Sequence, residues 1–444
     1  MDKLGKSENG QVIILLVMAI VGLFGFTALS IDGGMLFSDR RIAQNTADAS
    51  ALTGARKAGE LLNANNGWTC PQSQAENAAI ASAFSNDFTI ASNSDASQPT
   101  VTNGVTAYCN QAENYVDVLV KITTQTPTAF AHFVFGGPLV STVEAVARVY
   151  GPQPISGDKA LLALDTDCKK PLDGGIEFSG DLTLKVEGGS VHSNCDITTN
   201  GTKGTVDVVT GTITYNDYYG VYDDNGGMNV TPTVQGSDEV MEVPFPPPDC
   251  DDPNAGLVDH TGSDVSGTDT LQPGKYNDIS VTDAGDVLTL ESGLYCIYGN
   301  FKATGGELIG NGVTLYFPQT AGTFNTQGNA TVTLTAPQPP LCELYYPNKG
   351  CKPAIGGMLI YYEPGGKPSS PDIKLGGTSA STYEGMIYAP NTAVNVGGSS
   401  DLEDITYGIS IVAFHIDIYG TSNINIDYDA SLMPHYPTNM ELHR

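Results

Sequence analysis

The chain has 444 residues, enough for two or three domains, and carries 49 Asp and Glu against 20 Lys and Arg, a formal net charge of −29. That field disfavours nucleic acid and anionic lipid headgroups as ligands and leaves room for divalent cations and basic proteins. Charged residues are only 16% of the chain, and 51 glycines and 26 prolines punctuate short apolar alternations, so the composition excludes a disordered acidic tail and points to turn-rich β-structure.

Residues 1–10 form a short polar leader, and Val12 to Leu29 follows without a charge. A bilayer span takes about 20 apolar residues, so 11–62 is expected to begin as a transmembrane helix marked by Val12, Leu16, Ile20, Phe24 and Leu29. A cleaved secretory signal is the competing expectation. Ala28-Leu29-Ser30 offers a small-x-small site, but the run exceeds the roughly 7–15 residues of a signal core. Lys3 and Lys6 before the run nearly balance Arg40 and Arg41 behind it, so basic flanks do not decide orientation. Cysteine usage decides it instead, as argued below, with the N-terminus cytoplasmic and the remainder outside.

The helical pattern continues to about Leu62 with no proline. Ala43, Ala47, Ala51, Ala55 and Gly59 recur at i+4 and make a stripe that lets another backbone come close. Its partner is either residues 63–150 of the same chain or the same helix of a neighbouring subunit. Residues 63–150 read as a small α+β domain: a helix at Gln72–Phe84, strands in "PTVTNGVTAY", "NYVDVLVKIT" and "VSTVEAVARVYG", and a short helix in "PTAFAHFVFG". Cys70 and Cys109 flank its first elements and are a natural pair.

The segment "GQVIILLVMAIVGLFGFTALSIDGGMLFSDRRIAQNTADASALTGA" joins Gly10, an apolar run, Asp32, Arg40-Arg41, Gln44-Asn45 and Asp48 to the alanine ladder. In this it resembles the N-terminal segment of the TadG-like proteins of Tad (tight adherence, Flp-type) pilus assembly. The resemblance covers roughly residues 8–60 and extends loosely to "VEAVARVYGP". It implies an exported protein with one membrane span, a pilin-like helix and an association with surface appendages. Prepilin-type processing would cut after Gly10 and expects Glu five residues on, where this chain has Leu15.

"GPQPISGDKA" (151–160) is a Pro/Gly linker. From 161 to 444 short strands alternate with Gly, Asn and Asp turns. "GGMLIYYE", "GMIYAPN" and "GISIVAF" each enter an apolar strand through glycine, and Ile373, Val394 and Ile416 recur in the strands that follow them. A period of about 22 residues predicts an all-β right-handed parallel β-helix, or solenoid, with an antiparallel sandwich as the alternative. The blocks "LLALDTDCKKPLDGGIEFSGDLTLKVEGGSVHSN", "LQPGKY", "LESGLYCIYGNFKATGGELIGNGVTLYF" and "GMIYAPNTAVNVGG" also resemble the right-handed β-helix regions attached to TadG-like proteins. "VPFPPPDCDDP" reads as a Pro-rich excursion between coils.

Eight cysteines without a C-x-x-C pair suggest disulfides in an oxidising compartment, and hence export. Cys70–Cys109 and Cys342–Cys351 join neighbouring segments; Cys168–Cys195 and Cys250–Cys296 would staple adjacent coils. No motif of a hydrolase, nucleotide-binding or EF-hand site is present, and no enzyme activity or cofactor is expected. His132 lies among phenylalanines and reads as packed. Asp249, Asp251 and Asp252 sit in the Pro-rich segment, and Asp427 and Asp429 on a strand face. Calcium is the cation such oxygens would suit. The expected function is structural: a membrane-anchored or filament-incorporated surface protein. Its expected partners are the membrane and, through the helix, itself or other pilus-type subunits. The alternatives are an adhesin that stacks surface glycan on Tyr215, Tyr218, Tyr219 and Tyr222, and a polysaccharide-cleaving β-helix.

Overall fold

The computed structural model describes residues 9–64, 69–92, 103–130, 136–168, 175–253, 255–338, 354–365, 373–398, 405–421, 423–436 and 440–443. They fall into two compact units, residues 1–152 with 437–444, and residues 153–436.

In the first unit helix α1 runs without interruption from Asn9 to Ala64, about 84 Å at 1.5 Å per residue. Helix α2 (Gln72–Phe84) packs beside its second half, and both lie against a sheet of β1 (Ala91–Ser92), β2 (Gly104–Asn110), β3 (Tyr115–Thr126) and β4 (Leu139–Tyr150). β3 and β4 pair antiparallel in unbroken register from Tyr115↔Tyr150 to Thr126↔Leu139. Their side chains alternate buried and less buried, as expected for a sheet with one face on the helices. On the other face Asp117 holds Arg148 through two bonds of 2.7 and 2.9 Å, and the guanidinium lies 3.7 Å from the Tyr115 ring centre. The C-terminal strand Met440–His443 adds to β4. The expected β domain of 161–444 therefore ends earlier, because its last residues complete the first unit's sheet. The second unit begins at Gln153, inside the 151–160 segment, where Gln153–Pro154 pairs with His435–Tyr436. The short helix expected in "PTAFAHFVFG" is not formed at 127–130. Residues 131–135, with His132, lie outside the described residues.

The second unit is a large parallel sheet in which each strand pairs mainly with the one three strands later. The result is three ladders. In one of them Phe301, Phe324, Ile373, Val394, Ile416, Ile176 and Ile197 are successive partners, all nearly or fully buried. The repeat seen at Ile373, Val394 and Ile416 is thus a register of real neighbours. The jump from 416 to 176 shows a feature that the repeat did not reveal. The chain enters in the middle of the stack and winds toward one end through residues 159–237. It then crosses to the far end and winds back through 258–427, so that its last strands pair with its first. Entry and exit lie together: Ile155 N–H donates to the Pro434 carbonyl at 2.9 Å.

The crossing is the Pro-rich segment. Its contacts fall in order along one ladder column, which runs His192, Leu162, Val412, Tyr388, Tyr361, Tyr316, Cys296, Lys275. Asn194 bonds the Met241 carbonyl, Tyr388 Oη donates to Val243 O and Tyr361 Oη to Phe245 O. Cys250 is bonded to Cys296, and Lys275 pairs with Asp251. Rungs about 4.8 Å apart put His192 about 34 Å from Lys275. The chain from Met241 to Asp251 reaches about 33–36 Å when fully extended. The crossing runs along the stack from one end toward the other, and proline favours its extended stretches by holding φ near its extended-chain value. It is a strap along the stack, and the strands beneath it, Gly293–Ile297, Val313–Phe317 and Met358–Tyr362, are buried at every position.

Candidate functional site: the two-part helix and its clamp

The two halves of α1 have opposite surroundings. Val12, Leu16, Ile20 and Phe24 are exposed, with Leu16 at 58%, and Leu29 falls in the same helical run. Among the described residues nothing covers this stretch, which is long and apolar enough to cross a membrane. Ala43, Ala47, Ala51 and Ala55 are fully buried, and Gly59 is buried with them. Between the two occupants open to the stripe, the structure seats α2 and the sheet of the same unit there. Gly54 shows how close the approach is. A Cβ at that position would lie 2.8 Å from Val118 Cγ1 and 2.9 Å from the Ala75 carbonyl oxygen.

The polar residues around the junction are tied to the same domain. Asp32 is 2% exposed, and its two carboxylate oxygens accept the backbone N–H groups of Ala129 at 2.8 Å and Phe130 at 3.0 Å. Asp39 Oδ2 accepts from Thr126 Oγ1 at 2.6 Å. Gln44 Nε2 donates to Asp48 Oδ1 at 2.8 Å and to the Glu144 carbonyl at 3.2 Å. The spacing from Asp32 to Asp48 is therefore a set of attachments between α1 and the β3–β4 hairpin. Sequence alone marked these positions without assigning them work. The usable signal was that Asp32 is the first charge after the apolar run.

Three of the expected disulfides are present: Cys70–Cys109, Cys168–Cys195 and Cys250–Cys296, with Cα–Cα distances of 5.9, 5.6 and 6.2 Å. The first ties the segment before α2 to β2, and the last fixes the strap. Cys342 and Cys351 lie outside the described residues. Asp251 pairs with Lys275, Asp249 Oδ1 accepts the Asp251 N–H at 2.8 Å, and Asp429 caps a short turn through the Ser431 N–H. Among the described residues no three His, Cys, Asp or Glu side chains converge as a metal centre. Tyr218 is 81% exposed and meets Tyr219 edge-on, with centroids 4.7 Å apart; Tyr215 and Tyr222 are half-buried against the core.

Two titratable features escaped the sequence. His192 is fully buried between Thr214 and Asn194, and burial holds its imidazole below the usual range. Asp417 stands beside Glu177 on adjacent rungs. Its Oδ1 is buried without a hydrogen-bond partner among the described residues. Burial pushes its carboxyl up to about 6, and the neighbouring Glu177 charge adds to the effect.

An apolar helix that emerges bare and continues as the packed core of a folded domain defines the class: a protein with an N-terminal membrane-anchor-like helix. Residues 10–57 match the family model of Tad, the TadE/G-like Flp pilus-assembly domain. The match covers the bare half, the junction and most of the alanine ladder. No curated protein and no solved structure matches the chain.

Proposed function

We propose that the chain is a single-pass, membrane-anchored surface protein of the Tad/Flp pilus-assembly type, and that its second unit is a right-handed parallel β-solenoid displayed outside the cell. The observation that carries this is the coincidence of the Tad match with one continuous helix, bare over its apolar half and packed over its small-residue half. Three disulfides favour an oxidising compartment for everything after the span, with the N-terminus cytoplasmic. Pairing of each strand with the third one after it supports the solenoid, in which every coil covers its neighbour's open edge. The chain acts as a scaffold and not as a catalyst. Its acidic strap residues are engaged locally, with Asp251 on Lys275.

The membrane is the partner this function requires, and other pilus-type subunits are the second. Because the alanine stripe is filled from within, such subunits would meet the span or the outer faces of the domain. Alkaline phosphatase needs an oxidising compartment for its own disulfides, so a fusion after Gly151 should be active in bacteria. An inactive fusion at normal expression reverses the orientation. A second reading, a glycan-binding adhesin, is favoured by the exposed Tyr218–Tyr219 pair, which offers aromatic faces for stacking. Binding on a glycan array that is lost in Tyr218→Ala would select it.

A further inference from the structure

Residues 12–31 are uncharged throughout. They extend about 30 Å as helix, the thickness of a bilayer's hydrocarbon core. Asp32 therefore marks the height at which a span made of these residues ends. At that height its carboxylate grips the peptide groups of Ala129 and Phe130. The next attachment, Asp39 to Thr126, lies about 10 Å further along the helix. Three residues, from Thr126 to Ala129, can reach about 10 Å when extended, which matches that spacing. On leaving β3, then, the chain runs down the helix toward the apolar half and reaches the level of its end.

We infer that the Ala129–Phe130 end of the β3–β4 connection rests in the lipid headgroup layer, so that the folded domain touches the bilayer and does not stand clear of it. This rests on the proposal that residues 12–31 span the membrane. The partner is the lipid surface itself. Its chemistry fits: the described stems of the connection, Pro127–Phe130 and Gly136–Pro138, carry no charge, so the contact desolvates no ionised side chain there. The clamp meets two electrostatic demands at once. Peptide N–H groups near lipid need an acceptor, and a carboxylate held at 2% exposure needs donors. Each supplies the other.

The test uses the full chain in lipid nanodiscs, with Trp68→Phe removing the only tryptophan. Single tryptophans are then placed by Val21→Trp in the middle of the span, by Phe130→Trp, and by Tyr108→Trp. Tyr108 faces Asp117 across the sheet, about 30 Å along β3 from Thr126. Lipids brominated deep or shallow in the acyl chain serve as quenchers. The expected result is deep quenching of the Val21 probe, shallow quenching and a blue shift for the Phe130 probe, and neither for the Tyr108 probe. A quenched Val21 probe with a Phe130 probe that behaves like Tyr108 would overturn the contact and leave the span standing. An unquenched Val21 probe would overturn the span and the contact with it. Adding Asp32→Ala to the Phe130 probe should abolish its shallow quenching, whereas Asp32→Asn, which keeps one acceptor oxygen, should retain part of it. Full quenching in Asp32→Ala would show that the clamp does not set the height.

Discussion

Residues 12–31 and 43–62 are stretches of equal length on one helix, and burial runs opposite to hydrophobicity between them. Phe26 is 76% exposed, while Ala43, Ala47, Ala51 and Ala55 are fully buried. A large apolar side chain contributes about 1.5–3 kcal/mol only if something removes it from water. Among the described residues nothing does so over the first half. Alanine removes little area itself but lets α2 and the sheet approach the helix axis, as the Gly54 contacts show. Side-chain size thus decides which half packs on protein, and hydrophobicity decides which half needs a different solvent.

The sharpest way to break this contrast is to enlarge the stripe. Ala47→Leu with Ala51→Leu should overpack the contact by about 1–3 kcal/mol per site, a large share of the roughly 5–15 kcal/mol that holds a domain together. A circular-dichroism melt of the full chain in detergent should show the first unit's transition lowered or lost. Leu16→Ala with Leu23→Ala should leave that transition in place. A wild-type melt for the alanine-to-leucine pair would mean the stripe is not packed as described. The reverse experiment charges the bare half. Leu16→Arg should disfavour insertion by roughly 2.5–3.5 kcal/mol, lowering the membrane-bound fraction on flotation while the melt stays unchanged.

The same contrast recurs in the β unit, where "GLYCI", "VTLYF" and "MLIYY" are buried on both faces while "TVTLT" and "ELIGN" are buried on one. Much of this was legible. Periodicity located α2 at its observed limits, placed the hairpin strands, and aligned Ile373 with Val394 and Ile416. What covers a continuous apolar run was not legible. Length separates a strand from a span, yet nothing local in "MLIYY" tells that residues 243–245 lie across it. The reversal of winding was hidden for the same reason, since it depends on His415 meeting Gly175. The clamp was hidden as well, because Asp32 bonds peptides 97 and 98 residues away. In each case local pattern shows that a partner is needed and long-range topology names it.

Asp417 probes a polar group that is only partly covered. Its folded-state pKa of about 6 lies above the unfolded value of about 3.9. The native state therefore binds the extra proton between these values, and stability falls as pH rises through them. Below about pH 4 the group contributes no difference. Above about pH 6 the ionised, buried carboxylate beside Glu177 destabilises the unit by about 1–2 kcal/mol, after allowance for its partial exposure. Asp417→Asn should accordingly raise the urea midpoint at pH 7.5 and leave it unchanged at pH 3.5. Equal midpoints at both values would place Asp417 in water.

The smallest expected effect isolates the strap. Tyr388 is 2% exposed, and its hydroxyl donates to the Val243 carbonyl at 2.6 Å. Tyr361 does the same to Phe245 one rung along. Burial pushes the Tyr388 phenol up to about 12, so at neutral pH it is a donor. Tyr388→Phe keeps the ring, and with it the contact to Phe245, but leaves the Val243 carbonyl without that donor. The loss should be about 0.5–1.5 kcal/mol, read as a lower urea midpoint of the β unit and faster proteolytic cleavage within residues 238–249. Tyr218→Phe removes a hydroxyl from an 81% exposed ring and should change the midpoint by no more than about 0.5 kcal/mol. If both variants behave as wild type, the strap lies on the ladder without being fastened by these hydroxyls, and the Cys250–Cys296 bond and proline would hold its course.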